Sequence, residues 1–190
     1  MTKAIPVRDR LVGSAITLLR TKGADGFGIS ELLADSAVAR RSMYQHFPEG
    51  KAQLLTAAVV SAGRHLDAQL DALLTAHPPV EALALWIENW KQGLIASDFQ
   101  RGCPLAAAAQ SDDEYPGAAR AAGDVLRGFA ERITAAFIAD GLAPEAAQTA
   151  GTVLVSAIEG AILTARSRRD PAPLDDVVAH ARAVWGQAVR

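Results

Sequence analysis

The side chains best equipped to act on something outside the fold are gathered in one octapeptide, Arg40-Arg41-Ser42-Met43-Tyr44-Gln45-His46-Phe47. It holds two guanidinium groups, a hydroxyl, a phenol, an amide and an imidazole, with Met43 and Phe47 four apart as its apolar side. Guanidinium forks bind phosphate and read guanine edges, and amides and hydroxyls pair with base edges, so this set suits recognition of a nucleic acid. Folding alone gives no reason for two arginines to open a helix. The first turn exposes N–H groups whose partial positive charge disfavours a cation by about 0.3–1 kcal/mol. A phosphate backbone does give a reason, since helix N-termini bind phosphate too. Lys51 repeats the pattern after Pro48-Glu49-Gly50, at the expected start of the next helix.

Competing chemistries find little support. His46, His65, His77 and His180 have no metal-ligand spacing with one another or with the single Cys103, and there is no glycine-rich phosphate loop. No catalytic constellation, metal or cofactor is therefore expected. One cysteine excludes an intrachain disulfide framework and, with no signal peptide, gives a cytoplasmic expectation. Cys103, beside proline in an apolar segment, reads as packing rather than as a redox sensor. No apolar run approaches the roughly 20 residues that span a bilayer, so no membrane partner is expected.

The octapeptide needs neighbours to hold it. Leu32, Leu33, Val38, Met43 and Phe47 recur at three-to-five-residue spacings that gather them on one buried side of two short helices. Between these helices Ser36-Ala37-Val38-Ala39 has the length of the turn in a helix-turn-helix. Helices this short are not stable alone and must pack on something. Upstream, Pro6 to about Lys22 gives an amphipathic helix with Leu11, Ala15, Leu18 and Leu19 inward, preceded by a loose arm over residues 1–5 and ended by Gly23. Arg8 and Arg10 near its start are equally suited to phosphate and to plain solvation.

Downstream the patterning is helical throughout, with expected helices over Lys51–Leu74, Val80–Ala96, Pro116–Asp140 and Pro144–Arg166, and from Asp170-Pro171 to Val189. No period-two alternation appears, so the fold class is all-α. The division expected is a three-helix head at residues 1–50 and a larger body at 51–190. Formal charge separates the same way. Residues 1–55 hold eight Lys/Arg against five Asp/Glu, net +3, and the remainder holds eleven against sixteen, net −5. Basic charge thus lies where phosphate binding needs it.

Gly23, Gly26-Phe27, Glu31-Leu32-Leu33, Ala37-Val38-Ala39, Met43-Tyr44-Gln45-His46-Phe47, Lys51 and Leu54 together resemble the N-terminal DNA-binding domain of TetR-family transcriptional regulators. Phe47-Pro48-Glu49-Gly50-Lys51 and Arg101-Gly102-Cys103-Pro104-Leu105-Ala106 are similar to the LmrA/YxaF-like branch. The family usually has glycine at Ala37, serine or threonine capping at Ala39 and threonine at Gly28. Left-handed backbone costs alanine about 1 kcal/mol, and Ala39 offers no acceptor to the free N–H groups, so a frayed second helix is expected in the free protein.

The resemblance implies a homodimeric, ligand-responsive regulator, most simply a repressor released from a palindromic operator by a small hydrophobic or aromatic effector. Arg40, Arg41, Ser42, Gln45 and His46 would lie nearest the bases, with Tyr44 and Lys51 on phosphates. Rigid aromatic walls suit a small-molecule pocket, and the expected lining is Leu66, Trp86, Trp90, Cys103, Phe129 and Ile133, beside the small-residue segment Leu105–Ala109. From Gly151 to Ala165 the chain is apolar on nearly all sides, which implies burial on more than one side and a second subunit. The dimer interface expected is Ala157, Gly160, Ala161, Thr164, Val178 and Trp185. The basic run Arg166-Ser167-Arg168-Arg169 ends a helix, where cations are favoured, and reads as structural. Two other readings stay open: an activator or regulator with a vestigial pocket, and an all-α small-molecule-binding dimer or enzyme that has lost DNA binding.

Overall fold

A computed structural model of the chain describes residues 5–186, and these are helical, with no β-strand among them. The helices are α1 (Val7–Lys22), α2 (Ile29–Ser36), α3 (Arg40–His46), α4 (Lys51–Ala76), α5 (Pro79–Ala96), α6 (Pro104–Ala109), α7 (Pro116–Ala139), α8 (Pro144–Arg168) and α9 (Ala172–Trp185). Most boundaries fall within two residues of the sequence expectation. Most of the expected N-terminal arm and the expected helix end at Val189 lie outside the described residues.

The chain divides into two compact units by packing. One unit runs to Arg64 and takes in Pro104–Asp124; the other comprises His65–Cys103 and the chain from Val125 on. In the first, α1 packs against α6 as well as against α2 and α3. Alanine-rich α6, expected as a pocket wall, instead buries Leu105 and Ala108 completely there.

In this first unit Leu11, Val12, Ala15, Leu18 and Leu19 of α1 form the inner stripe, joined by Leu32, Val38, Met43, Phe47, Leu54 and Leu55. Leu33, expected inward, is half-buried. The α1–α2 connection turns so tightly that a Cβ on Gly26 would sit 2.1 Å from the Lys22 carbonyl oxygen, so no other residue fits without backbone movement.

In the second unit α9 packs against α5 and α8, and α5 also meets α8. Trp86, Ile87 and Trp90 of α5, Phe129, Ile133 and Phe137 of α7, and Leu154, Ile158 and Ile162 of α8 are buried. Ile138 is 43 % exposed. Helices α7 and α8 approach closely at Gly151, where a Cβ would meet Thr134 Oγ1 at 2.4 Å and the Ala130 carbonyl oxygen at 2.5 Å. The basic end of α8 is structural, as expected: Arg168 pairs with Asp170 at 3.4 Å, and Arg169, at φ 54°, pairs with Asp98, at φ 52°. Helix α8 is long and apolar enough to cross a membrane, which was not expected from the sequence. Small residues raise its mean hydropathy, but one stripe of it is packed within this unit and it carries Glu159.

Candidate nucleic-acid interface

Helix α2, a three-residue turn and α3 form a helix-turn-helix whose turn depends on Ala37. Its backbone is left-handed, at φ 52° and ψ 42°, as the sequence suggested for a position where glycine is usual. This conformation lets the Ala37 N–H reach the Ala34 carbonyl at 3.3 Å and the Val38 N–H reach that of Leu33 at 3.2 Å. Ala39 then takes extended backbone and starts α3 with no side-chain cap. Met43 and Phe47 anchor α3 inward, and the helix is formed over Arg40–His46.

The anchoring orients the rest. Arg40, Arg41, Tyr44, Gln45 and His46 are exposed, and Ser42 is half-buried. Arg40 donates to Ser30 Oγ at the start of α2, at 3.4 Å, which places its guanidinium beside that helix's first turn. Among the described residues the side chains of Arg41, Gln45 and His46 make no hydrogen bond or ion pair and keep their full donor and acceptor capacity for a partner.

Other cations of this unit have work inside it. Arg10 donates to the Ala37 carbonyl at 3.3 Å and so supports the strained turn. The Arg8 guanidinium lies 5.4 Å from the Phe47 ring centroid. Lys22 pairs with Glu31. Lys51, expected on a phosphate, donates instead to the carbonyls of Ala24 at 2.7 Å and Phe27 at 2.6 Å, and stands over the rings of Phe27 and Tyr115. Burial lowers its pKa against the opposing pull of Glu114 and Asp25. The loop carbonyls left over by the tight turn at Gly26 explain this placement, because they need a donor. Sequence spacing shows a lysine near a helix start but cannot show which carbonyls the fold leaves unpaired.

In the second unit the residues expected to line a pocket are packed on the core. Trp86 meets Phe129 edge to face at 5.3 Å, and Trp86, Trp90, Cys103, Phe129 and Ile133 are buried, with Leu66 half-buried. An open cleft of about 540 Å³ lies elsewhere, between α7 and α8, and none of those six residues lines it; Arg127, Thr134, Ile138, Gln148 and Thr152 do. A titratable group lies in the apolar stretch of α8, Glu159. Burial raises its pKa to about 7, opposed by a hydrogen bond with Cys103.

The expected dimer residues separate into two faces of the bundle. Gly160 and Thr164 are exposed, and Ala157 and Val178 half-buried. Ala161 is buried within its own chain, because it continues the inner stripe of Leu154, Ile158 and Ala165. Trp185 is half-buried against Phe137 and His180, at centroid distances of 6.1 and 6.0 Å. The exposed stripe of α8 instead carries Val153, Ser156, Gly160, Leu163 and Thr164, with Leu163 65 % exposed. Counting turns from Ile158 would have separated the two faces.

Comparison with known proteins agrees with this architecture. Residues 11–58 match the profile of bacterial regulatory proteins of the tetR family, and residues 79–180 match that of the LmrA/YxaF-like transcriptional regulator C-terminal domain. An uncharacterized HTH-type transcriptional regulator of Mycobacterium tuberculosis is 40 % identical over 175 residues, covering 88 % of each chain. The structure of a TetR transcriptional regulator from Legionella pneumophila superposes with a TM-score of 0.87 over the full length of both chains at 18 % identity. That of regulatory protein TetR from Rhodobacter sphaeroides gives 0.83 over 92 % of this chain and 96 % of its own at 22 % identity. These relatives are regulators rather than enzymes. A helix-turn-helix with an exposed basic face, joined to a body of the LmrA/YxaF-like kind, places this chain in the TetR family of DNA-binding transcriptional regulators.

Proposed function

We propose that the chain is a cytoplasmic, homodimeric repressor that binds a palindromic operator and is released by a small hydrophobic or aromatic effector. The observation that carries the reading is the exposed face of α3, where Arg41, Gln45 and His46 project with no internal partner. In this reading α3 enters the major groove, with Arg40, Arg41, Ser42, Gln45 and His46 nearest the bases. Tyr44, 40 % exposed, contacts phosphate at its edge. Lys51 acts one step back, by holding the loop before α2. A dimer sets two such helices about 34 Å apart, one helical turn of DNA. The apolar Val153 and Leu163 on the outer stripe of α8, with Val184 on α9, support a second copy as their cover. The effector binds in the second unit and favours a conformer whose recognition helices no longer fit adjacent grooves. To do so it must bind that conformer much more tightly than the DNA-bound one.

Selection of duplexes from a random pool by the purified protein, at near-physiological salt, tests the reading. Moderate salt suppresses bare phosphate affinity and leaves base readout visible. A palindrome with half-sites about one helical turn apart is the expected product. Enrichment of no sequence by the folded protein would refute it.

A further inference from the structure

The second unit holds a half-buried glutamate, one of whose carboxyl oxygens its own fold does not answer. Glu159 sits mid-way along α8, with Ile158 and Ile162 of the inner stripe as neighbours. Its Oε2 is shut off from solvent and has no hydrogen-bond partner. The contact recorded on the carboxyl is a hydrogen bond with the Cys103 thiol, a weak partner for a carboxylate. In the same unit, on α5, which meets α8, the buried indole Nε1 of Trp86 is also without a partner. Burying polar atoms unpaired is unfavourable, and an apolar residue at 159 would pack without that cost. Packing therefore gives no reason for an acid here, whereas a guest carrying the complementary charge does.

The chemistry of the guest follows from the surroundings. A carboxyl held about half neutral at pH 7 by burial ionises fully when a cation is placed beside it, because the pair then satisfies both charges where water cannot. The same unit holds the aromatic pair Trp86 and Phe129, buried and edge to face at 5.3 Å, and aromatic faces attract a cation. An anionic guest would meet like charge, and a purely apolar one would leave Oε2 as it is. We infer that Glu159 anchors the effector site and that the effector is a lipophilic cation, an amine whose ammonium group pairs with the carboxylate while its apolar part lies among the aromatic side chains. This deepens the reading of the second unit as the effector-binding part and rests on it.

The test compares two probes of equal length, 4-phenylbutylamine and 4-phenylbutan-1-ol, on the full chain and on Glu159→Gln. Binding is followed by tryptophan fluorescence, since all three tryptophans lie in this unit, and by calorimetry at pH 7 in buffers of different ionisation enthalpy. The unaltered protein should bind the amine at least about tenfold more tightly than the alcohol, as a charge-assisted contact implies. It should also release about half a proton per amine bound, because Glu159 titrates at about 7 and ionises on binding. Glu159→Gln should bind both probes alike and release none. Glu159→Met, of similar volume, serves if the glutamine variant does not fold. Equal affinities in the unaltered protein, an amine preference that survives loss of the carboxyl, or no binding of either probe at millimolar concentration would overturn the assignment. DNA is not used, so the two readings fail separately. A chain that selects a palindrome without preferring the amine loses only the anchor. One that prefers the amine and selects no duplex keeps the anchor and loses the operator.

Discussion

Replacing Ala37 with glycine should stabilise the helix-turn-helix, against the usual direction of that exchange. At φ 52° and ψ 42° the alanine Cβ crowds the following carbonyl, a strain of about 1–2 kcal/mol that glycine does not have. Glycine gains freedom in the unfolded chain, which takes back roughly 0.4–1 kcal/mol. The carbonyl that receives Arg10 is unchanged by the substitution, as are the backbone N–H bonds of the turn. The net expectation is a gain of about 0.5–1 kcal/mol, or a rise of roughly 1–4 °C in melting temperature for a chain of this size. Hydrogen exchange reads the gain locally. The Met43 and Phe47 amides, bonded to the Ala39 and Met43 carbonyls at 3.1 and 2.8 Å, should exchange about two- to fivefold more slowly. Ala34→Gly, three residues earlier inside α2, is the control and should destabilise by about 1 kcal/mol, because there glycine relieves no strain. Equal destabilisation by both substitutions would refute the left-handed assignment and the strain argument with it.

Three further outcomes follow from the geometry. Arg41→Ala should cost about 1–3 kcal/mol of specific DNA binding while leaving stability within about 0.5 kcal/mol, measured by operator titration and urea unfolding; unchanged affinity would remove Arg41 from the interface. Leu163→Glu should halve the mass seen in sedimentation if the outer stripe of α8 is the dimer face, and an intact dimer would exclude that face. Glu159 makes stability depend on pH in a stated direction. Its folded pKa, about 7, lies above the unfolded 4.5, so its contribution is fully present below about pH 4.5 and is lost as pH rises through 7. Glu159→Gln should therefore gain on the parent by roughly 3 kcal/mol between those limits, and parallel stability curves for the two proteins would contradict the burial of the carboxyl.

Helical periodicity was enough to read the elements other than α6, and the exposed face of α3. Met43 and Phe47 are four apart because one side of α3 must be buried, and that spacing alone turns Arg41, Gln45 and His46 outward. Ala37 was legible for a related reason: a turn of that length needs one left-handed residue, whichever side chain occupies it. Lys51 was not, because its partners are backbone carbonyls 24 and 27 residues away, which no spacing rule reaches. The packing of α6 on α1 escaped for the same reason. Glu159 was visible as an acid in an apolar run, but only the packed helices show that its Oε2 has no partner.

The internal use of Arg8, Arg10, Lys22 and Lys51 has a consequence for how the complex with DNA should respond to its ionic surroundings. These residues make the first unit look basic on paper, yet their charges are already engaged by rings, carbonyls and a carboxylate. On the α3 face this leaves Arg40 and Arg41, so in the proposed dimer four guanidinium groups, between base edges and the flanking backbone, would displace counterions equivalent to at most about four phosphates. Binding should then fall with log salt at a slope no steeper than about −3.6, a loss of at most roughly 150-fold between 50 and 200 mM, against 10³–10⁵ for proteins with six to ten such contacts. A regulator built this way draws a larger share of its affinity from base edges, and should hold its operator through swings in salt that would dislodge a more highly charged one.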